Sequence, residues 1–366
     1  MNATRAPETA VVAAVLLAVT VPLSTGCARP DTEAARGAAA GAAAPDLFPP
    51  PLPMPVANNA VAAIETAGGW SVFSFLGIDS TKLWSGVTTA SFRWDRGASQ
   101  WEAIEPPPGP GRLAATAQAF DGRIFLFGGY TVAEDGSETS RPEVDVLDPE
   151  TGRWTRAAPI PIPVDDAISG VWRDSLIFLV SGWHDSDNVA AAQIYDPARD
   201  AWALGTPIPG PPVFGHAGGI AGDAIVYIDG ARVQAEPRTF VLETSSWLGR
   251  IDPGDPARIA WERLPDHPGP GLYRAAATGT ESRVIFAGGT DNPYNFSGIG
   301  YDGRPAEPWS GAFAYDIAAG GWVDLPAADT PTMDHRGIVI ADGRAFIVGG
   351  MTAGQRVTDR VLELPR

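Results

Sequence analysis

From about residue 55 onward the chain repeats one hydropathy pattern. A short run of small and apolar residues comes first, then a hydrophilic turn, then an apolar run that ends in glycine. A loop of variable length follows, then a strand-like run ending near Asp-Pro or a similar turn, then a tryptophan and a Pro-rich exit. The clearest copy reads LAATAQAF (113–120), Asp121-Gly122-Arg123, IFLFGG (124–129) and VDVLDPETGRW (144–154). Runs this short, bounded by turn residues, predict strands rather than helices. The run before the glycine alternates poorly, as expected of a strand buried on both faces.

The glycine-ending runs close at Gly77, Gly129, Gly182, Gly230, Gly289 and Gly350. Trp101, Trp154, Trp202, Trp261 and Trp322 advance by the same steps. The two series move together, so the repeat is one physical unit with a variable loop inside it. A period near 50 residues with four strand-like runs predicts a propeller blade. The glycines suit a tight exit that needs positive φ, and the tryptophan suits a wedge between adjacent sheets. The expected fold is all-β: a six-bladed β-propeller of four-stranded antiparallel blades over residues 48–366.

The last copy ends at VLELPR with no fourth run, while Leu47-Phe48-Pro49-Pro50-Pro51-Leu52-Pro53 reads like the Pro-rich exit found after the other tryptophans. The N-terminal segment is therefore expected to supply the outer strand of the last blade and close the ring, removing an open edge. The double glycine, Asp-Pro turn and spaced tryptophan resemble the kelch family, over about residues 55–366. The copies at 128–154 and 288–322 match best. Leu76, Ser181 and Asp229 stand where the motif has its first glycine.

The first residues are different in kind. Arg5 precedes an uncharged apolar run at 11–23, too short to span a membrane comfortably and of the right length for an export signal. Leu23-Ser24-Thr25-Gly26-Cys27 follows and resembles a bacterial lipobox, which implies cleavage and lipidation at Cys27. Residues 1–27 are expected to be a signal peptide. The Ala/Gly-rich stretch 28–47 is expected to be a flexible tether. The chain would then be exported and membrane-anchored, facing the periplasm or cell exterior, with the lipid as its only membrane contact. Cys27 is the one cysteine, so no internal disulfide or cysteine metal cluster forms. A net charge of −17 repels phosphate backbones and argues against nucleic acid as a partner.

Candidate chemistry lies at the starts of the inner strands and in two loops. Arg112, Asp166, Arg274 and Arg336, with Asp165 and Asp334, would line a polar mouth. The loops carrying His184 and carrying Asn292 and Tyr294 combine amide, carboxylate and aromatic groups that suit carbohydrate. A second resemblance is to the sialic-acid mutarotase group of kelch propellers. It is carried by Gly349-Gly350-Met351-Thr352-Ala353-Gly354 and by Ile228-Asp229-Gly230 with Pro237-Arg238-Thr239. That resemblance implies a catalytic arginine at Arg238. Ala231 stands where the group has its glutamate, and the nearest carboxylate is Glu236. Hemiacetal opening needs one group to take the anomeric proton and one to protonate the ring oxygen. Arg238, Glu236, His216 and His335 are the candidates. No cofactor and no metal is expected. Two functions follow: a binding propeller with a carbohydrate or protein partner at its mouth, or a mutarotase acting on sialic acid or a related sugar.

Overall fold

The computed structural model describes residues 48–66 and 68–365. The expected signal peptide, tether and Cys27 lie outside them. Among the described residues, six blade sheets surround the axis: five have four antiparallel strands each, and the sixth has three, Val339–Ala341, Arg344–Val348 and Val361–Leu364. In each sheet the strands follow chain order from an innermost to an outermost position. The innermost strands are Ala60–Thr66, Thr116–Phe120, Ile168–Trp172, Ala217–Ala221, Ala276–Gly279 and Val339–Ala341. Besides strands, the described residues contain one 3₁₀ turn, Trp84–Gly86. The architecture is the six-bladed propeller that the repeat predicts.

Apolar side chains fill every gap between neighbouring blades. Phe125, Phe127 and Val146 of blade two meet Ile177, Leu179 and Tyr195 of blade three, and the same kind of cluster recurs around the ring. Between blade six and blade one, Leu52 and Val56 join Val72, Trp94, Phe346 and Val348. A four-stranded sheet cannot hide both greasy faces alone, so each blade is stabilised by its two neighbours.

Three sets of hydrogen bonds repeat around this circle. The first is made by the tryptophans. Each indole N–H donates to a backbone carbonyl in the exit of the preceding blade: Trp154 to Glu105 at 2.8 Å, Trp202 to Ala158 at 3.0 Å, Trp261 to Thr206 at 3.1 Å and Trp322 to Pro265 at 2.9 Å. Trp101 does the same to Pro50 at 2.7 Å. The second is made by the repeat glycines. The N–H of Gly77, Gly129, Gly182, Gly230, Gly289 and Gly350 donates to the carbonyl of Arg112, Val164, Val213, Leu272, Thr332 and Val56 respectively, each on the next blade.

The third set lies on the axis. Asn58, Ala114, Asp166, Gly215, Arg274 and Asp334 occupy one equivalent position per blade, all with φ between 49° and 70°. In this left-handed conformation the N–H points to one neighbour and the C=O to the other. Asp166 donates to Ala114 O at 3.1 Å, Gly215 to Asp166 O at 3.0 Å, Arg274 to Gly215 O at 2.7 Å and Asn58 to Asp334 O at 3.0 Å. Two links are varied. His335 N–H, one residue on, donates to Arg274 O at 3.2 Å, and Ala114 N–H donates to the Asn58 side-chain Oδ1 at 2.7 Å. Together the six bonds form a closed circle. Five of the six residues are not glycine, and each carries a left-handed cost of roughly 1–2 kcal/mol.

The expected closing strand is not seen among the described residues: residues 48–56 form no strand. They instead occupy the exit position. Leu52 N–H donates to Asp359 O at 2.7 Å, as Ile160 does to Pro142 O and Ile208 to Ala190 O in blades two and three. The bonds Trp101–Pro50 and Gly350–Val56 complete the first two circles through this same segment.

The three copies without a first glycine also have a physical account. Leu76, Ser181 and Asp229 all keep the left-handed φ, at 56° to 62°. Ser181 Oγ bonds the backbone of Val213, on the next blade. Asp229 accepts from Leu272 N–H at 2.7 Å and contacts His267 Nε2 at 2.6 Å. Burial alone would lower the His267 pKa, but the Asp229 bond and charge outweigh it and raise it.

Where the first glycine is kept, space demands it. A Cβ on Gly288 would press into the Thr332 carbonyl oxygen of the next blade, whereas one on Gly303 would meet nothing, although both have positive φ. Gly303→Ala should therefore cost only about 1 kcal/mol, the left-handed penalty, and Gly288→Ala about 3 kcal/mol or more, with overpacking added. Urea unfolding of both variants checks this; equal losses would contradict the interblade contact.

Candidate functional site

The loops that follow the repeat glycines converge over the axial circle on one face. They include the hairpins Tyr130–Val132 with Glu138–Ser140, Trp183–His184 with Asp187–Asn188, and Ala231–Gln234 with Thr239–Leu242. Their side chains make an apolar cap in which Leu113, Tyr130, Phe214, Tyr273, Tyr294 and Met333 are buried. The polar mouth expected on this face is therefore covered.

Beneath the cap the charges satisfy one another. Arg274 is 1% exposed and grips Asp166 with two bonds, Nε to Oδ1 at 3.1 Å and Nη2 to Oδ2 at 2.6 Å. Its Nη1 reaches Asp334 Oδ1 at 3.0 Å and also donates to the Asn295 carbonyl. The guanidinium carbon lies 5.0 Å from the Tyr273 ring and 5.4 Å from the Tyr294 ring. Arg336 Nη1 reaches the same Asp166 from blade six, at 2.5 Å. Burial would raise the Asp166 pKa, but the Arg274 and Arg336 charges override it and hold it below the usual carboxylate range. Asp165, beside it, is pushed well above the usual carboxylate range by burial and by the Asp166 charge. Asp334 is also raised, chiefly by burial.

The long blade-five loop is pinned to this cluster. Asn295 Oδ1 accepts from Tyr130 OH at 3.2 Å, and its Nδ2 donates to Glu138 at 2.7 Å. Asn292, expected to touch ligand, instead donates to Asp302 and to the Arg304 carbonyl within its own loop. Tyr294 is wholly buried. Arg112 lies away from the axis, paired with Asp145 at 2.6 Å between strands of blade two. His184 is half-buried on its hairpin.

Below the circle the inner strands enclose a channel of about 280 Å³, lined among others by His216, His335 and Arg336. Both histidines are buried, and burial is the main cause that lowers each pKa to about 3. His216 Nε2 lies 3.0 Å from the Val180 carbonyl, which can only accept, so that nitrogen carries the proton. His335 Nε2 pairs with Thr332 Oγ1 at 2.9 Å. Glu236 and Arg238 lie elsewhere, on the exposed tip joining Ala231–Gln234 to Thr239–Leu242, where Arg238 donates to the Ser186 carbonyl at 2.5 Å. The four acid/base candidates thus form two separate pairs. The structure unites Asp166, Arg274 and Arg336 as expected, but as a buried network rather than an open ligand site.

Asn58, Glu138 and Tyr273 belong to that network and were not singled out in the sequence. Asn58 had a usable signal: laid against the other repeats, it falls at the position of Asp166, Arg274 and Asp334. Glu138 and Tyr273 had none, since they reach the network from variable loops and from a strand start that otherwise reads as core.

This geometry has known counterparts. A Kelch motif model matches residues 111–161, within blade two and its exit, and the glycine-ending run of that blade recurs in the other five. The chain is a kelch-repeat β-propeller. The propeller is 22% identical over 280 residues to N-acetylneuraminate epimerase 1 of Escherichia coli, covering 75% of this chain and 66% of that protein. It is 23% identical over 277 residues to the Kelch-like protein terF of Aspergillus terreus, covering 62% and 59%. It is 27% identical over 221 residues to Beta-scruin of Limulus polyphemus, covering 58% and 22%. The match thus spans less than two thirds of the length of each of these three proteins. Among solved structures, YjhT superposes with a TM-score of 0.68 over 86% of this chain and 96% of that one, at 18% identity, a likeness of fold.

The channel histidines make the kelch propeller's stability acid-sensitive. Their folded pKa values lie below the ordinary value near 6.5. The unfolded chain therefore binds more protons between about pH 3 and pH 6.5, and stability falls as pH drops through that window, by roughly 1 kcal/mol per pH unit for each histidine. Replacing both (His216→Gln with His335→Gln) should flatten the slope of unfolding free energy between pH 7 and pH 5. An unchanged slope would assign the acid sensitivity to other groups.

Proposed function

We propose that this propeller is a non-catalytic binding module, exported and tethered by a lipid on Cys27, that carries a protein or carbohydrate partner on its loop face. The observation that carries this reading is the separation of the acid/base candidates. Glu236 and Arg238 sit on an exposed hairpin tip, while His216 and His335 are buried in the channel. General acid–base catalysis needs both groups within reach of one substrate. The loop face itself suits docking. Leu83 and Trp84 of blade one are 56% and 44% exposed, and Ile299 of blade five is 42% exposed. The blade-six turn links the two loops: Lys82 donates to Gln355 O, and Gln355 Nε2 donates to Ala306 O. Exposed large apolar groups beside polar ones are a common basis for contact with a partner.

A second reading, a sugar mutarotase, is favoured by the likeness to the E. coli N-acetylneuraminate epimerase. Anomer exchange of N-acetylneuraminate, followed by NMR, separates the two. The binding reading expects exchange at the buffer rate, with wild type and Arg238→Ala alike. Acceleration that Arg238→Ala abolishes would replace it with the enzyme reading.

The tether has its own test. In a bacterial host fed an alkyne-labelled fatty acid, the wild-type chain should take up label and fractionate with membranes, and Cys27→Ser should do neither. Label retained by Cys27→Ser would rule out lipidation at that residue.

A further inference from the structure

We propose that the blind end of the central channel is a binding site for a small α-hydroxycarboxylate, reached from the face opposite the loop cap. The channel is closed at the circle, where Thr116, Ala167, Ala217 and Ala275 are buried. Towards the other face its lining becomes partly or largely exposed, at Ala63, Val171 and Ile340. There it meets a wider depression of about 730 Å³ that shares Ala63 and Ala119 as walls. Among the described residues, the channel is therefore open to a solute from that side.

Arg336 forms the charged end of the site. It is the one Asp, Glu, Lys or Arg among the residues lining the channel. Its side chain is 3% exposed. Asp166 is its ion partner and is met through Nη1, while Nε is buried without a partner. A guanidinium has five N–H donors in a planar fork, so this one keeps donors to spend. A cavity whose charged lining is a single arginine with donors left over from Asp166 favours an anion among small solutes, against the overall negative charge of the chain. Carboxylate matches the fork in shape and charge.

His216 adds the second requirement. Its Nε2–H is spent on the Val180 carbonyl, so Nδ1 presents a lone pair, and that nitrogen is buried without a partner. The imidazole stays neutral, because burial holds its pKa near 3, and the Arg336 charge acts on it in the same direction. An acceptor beside a cationic donor asks for a ligand with a hydroxyl next to its carboxylate. The volume, about 280 Å³, sits at the small end of ligand pockets and limits the ligand to monosaccharide size or less. The site is separate from the loop-face surface proposed above and does not depend on it.

Saturation-transfer NMR with L-lactate as the probe tests the site on the full chain. At about 5 mM lactate, wild type should show transfer to the methyl group. Arg336→Lys keeps a charge for Asp166 but loses the planar fork, and should weaken binding at least about five-fold. Ile340→Trp changes an exposed residue at the open end, and should weaken binding to a similar extent with an unchanged melting temperature. The loop-face pair Leu83→Ser and Trp84→Ala should leave it unaltered. Absence of transfer in wild type, or equal transfer in wild type and Ile340→Trp, would overturn the proposal and leave the loop-face reading standing.

Discussion

Everything in this propeller is arranged around six hydrogen bonds that run head to tail about its axis. They force one residue of each blade into the left-handed region, and the chain accepts that conformation at asparagine, alanine, aspartate and arginine as well as at glycine. A single such residue in a loop would be an expense without return. Six of them in a circle hold one another, because each N–H and each neighbouring acceptor would otherwise be buried unpaired at the centre of the molecule. The glycine bonds and tryptophan bonds repeat the circle at larger radii. The apolar clusters between blades supply the attraction that closes all three.

That constraint also decides where chemistry can happen. Because the circle occupies the axis, side chains leaving it must pack above or below. Above it Arg274, Asp166 and Asp334 neutralise one another under an apolar cap. Below it Arg336 and His216 face a channel. The same residue types that suggest an open polar mouth in the sequence are therefore divided between a buried network, which fixes the blade-five loop through Asn295, and a small cavity on the opposite side. Removing Arg274 alone would leave Asp334 without its ion partner and Asp166 with Arg336 alone, a loss of about a few kcal/mol by the usual behaviour of broken buried pairs. Its role is structural.

Much of the architecture was legible from the sequence, because the step between glycines and the step between tryptophans report the same physical unit. Gly128, Gly288 and Gly349 are legible for the same reason: a Cβ there would strike the next blade. The fate of Asp229 was less so. It looks like a lost glycine, and only the contacts to Leu272 and His267 reveal a polar replacement. Site residues were the least legible. Sequence places Asp166, Arg274 and Arg336 at strand starts, which is correct, but whether a strand start faces solvent depends on loops of variable length that carry no repeat signal. Glu236 and Arg238 are close to Gly230 in sequence, yet the Ala231–Gln234 strand carries them outward to a hairpin tip. Proximity along a chain says little about proximity in space once a hairpin intervenes.

Hydrogen exchange at the circle is the most direct measure of this account. The amides of Asn58, Ala114, Asp166, Gly215, Arg274 and His335 belong to one closed set, so they should exchange only through global unfolding. All six should then share one opening free energy, equal to that from urea denaturation. If Asn58 and His335, which lie next to the junction of the first and last blades, exchanged much faster than Gly215 and Arg274, the ring would be opening at its seam. The circle would then be a consequence of blade packing rather than the constraint that organises it.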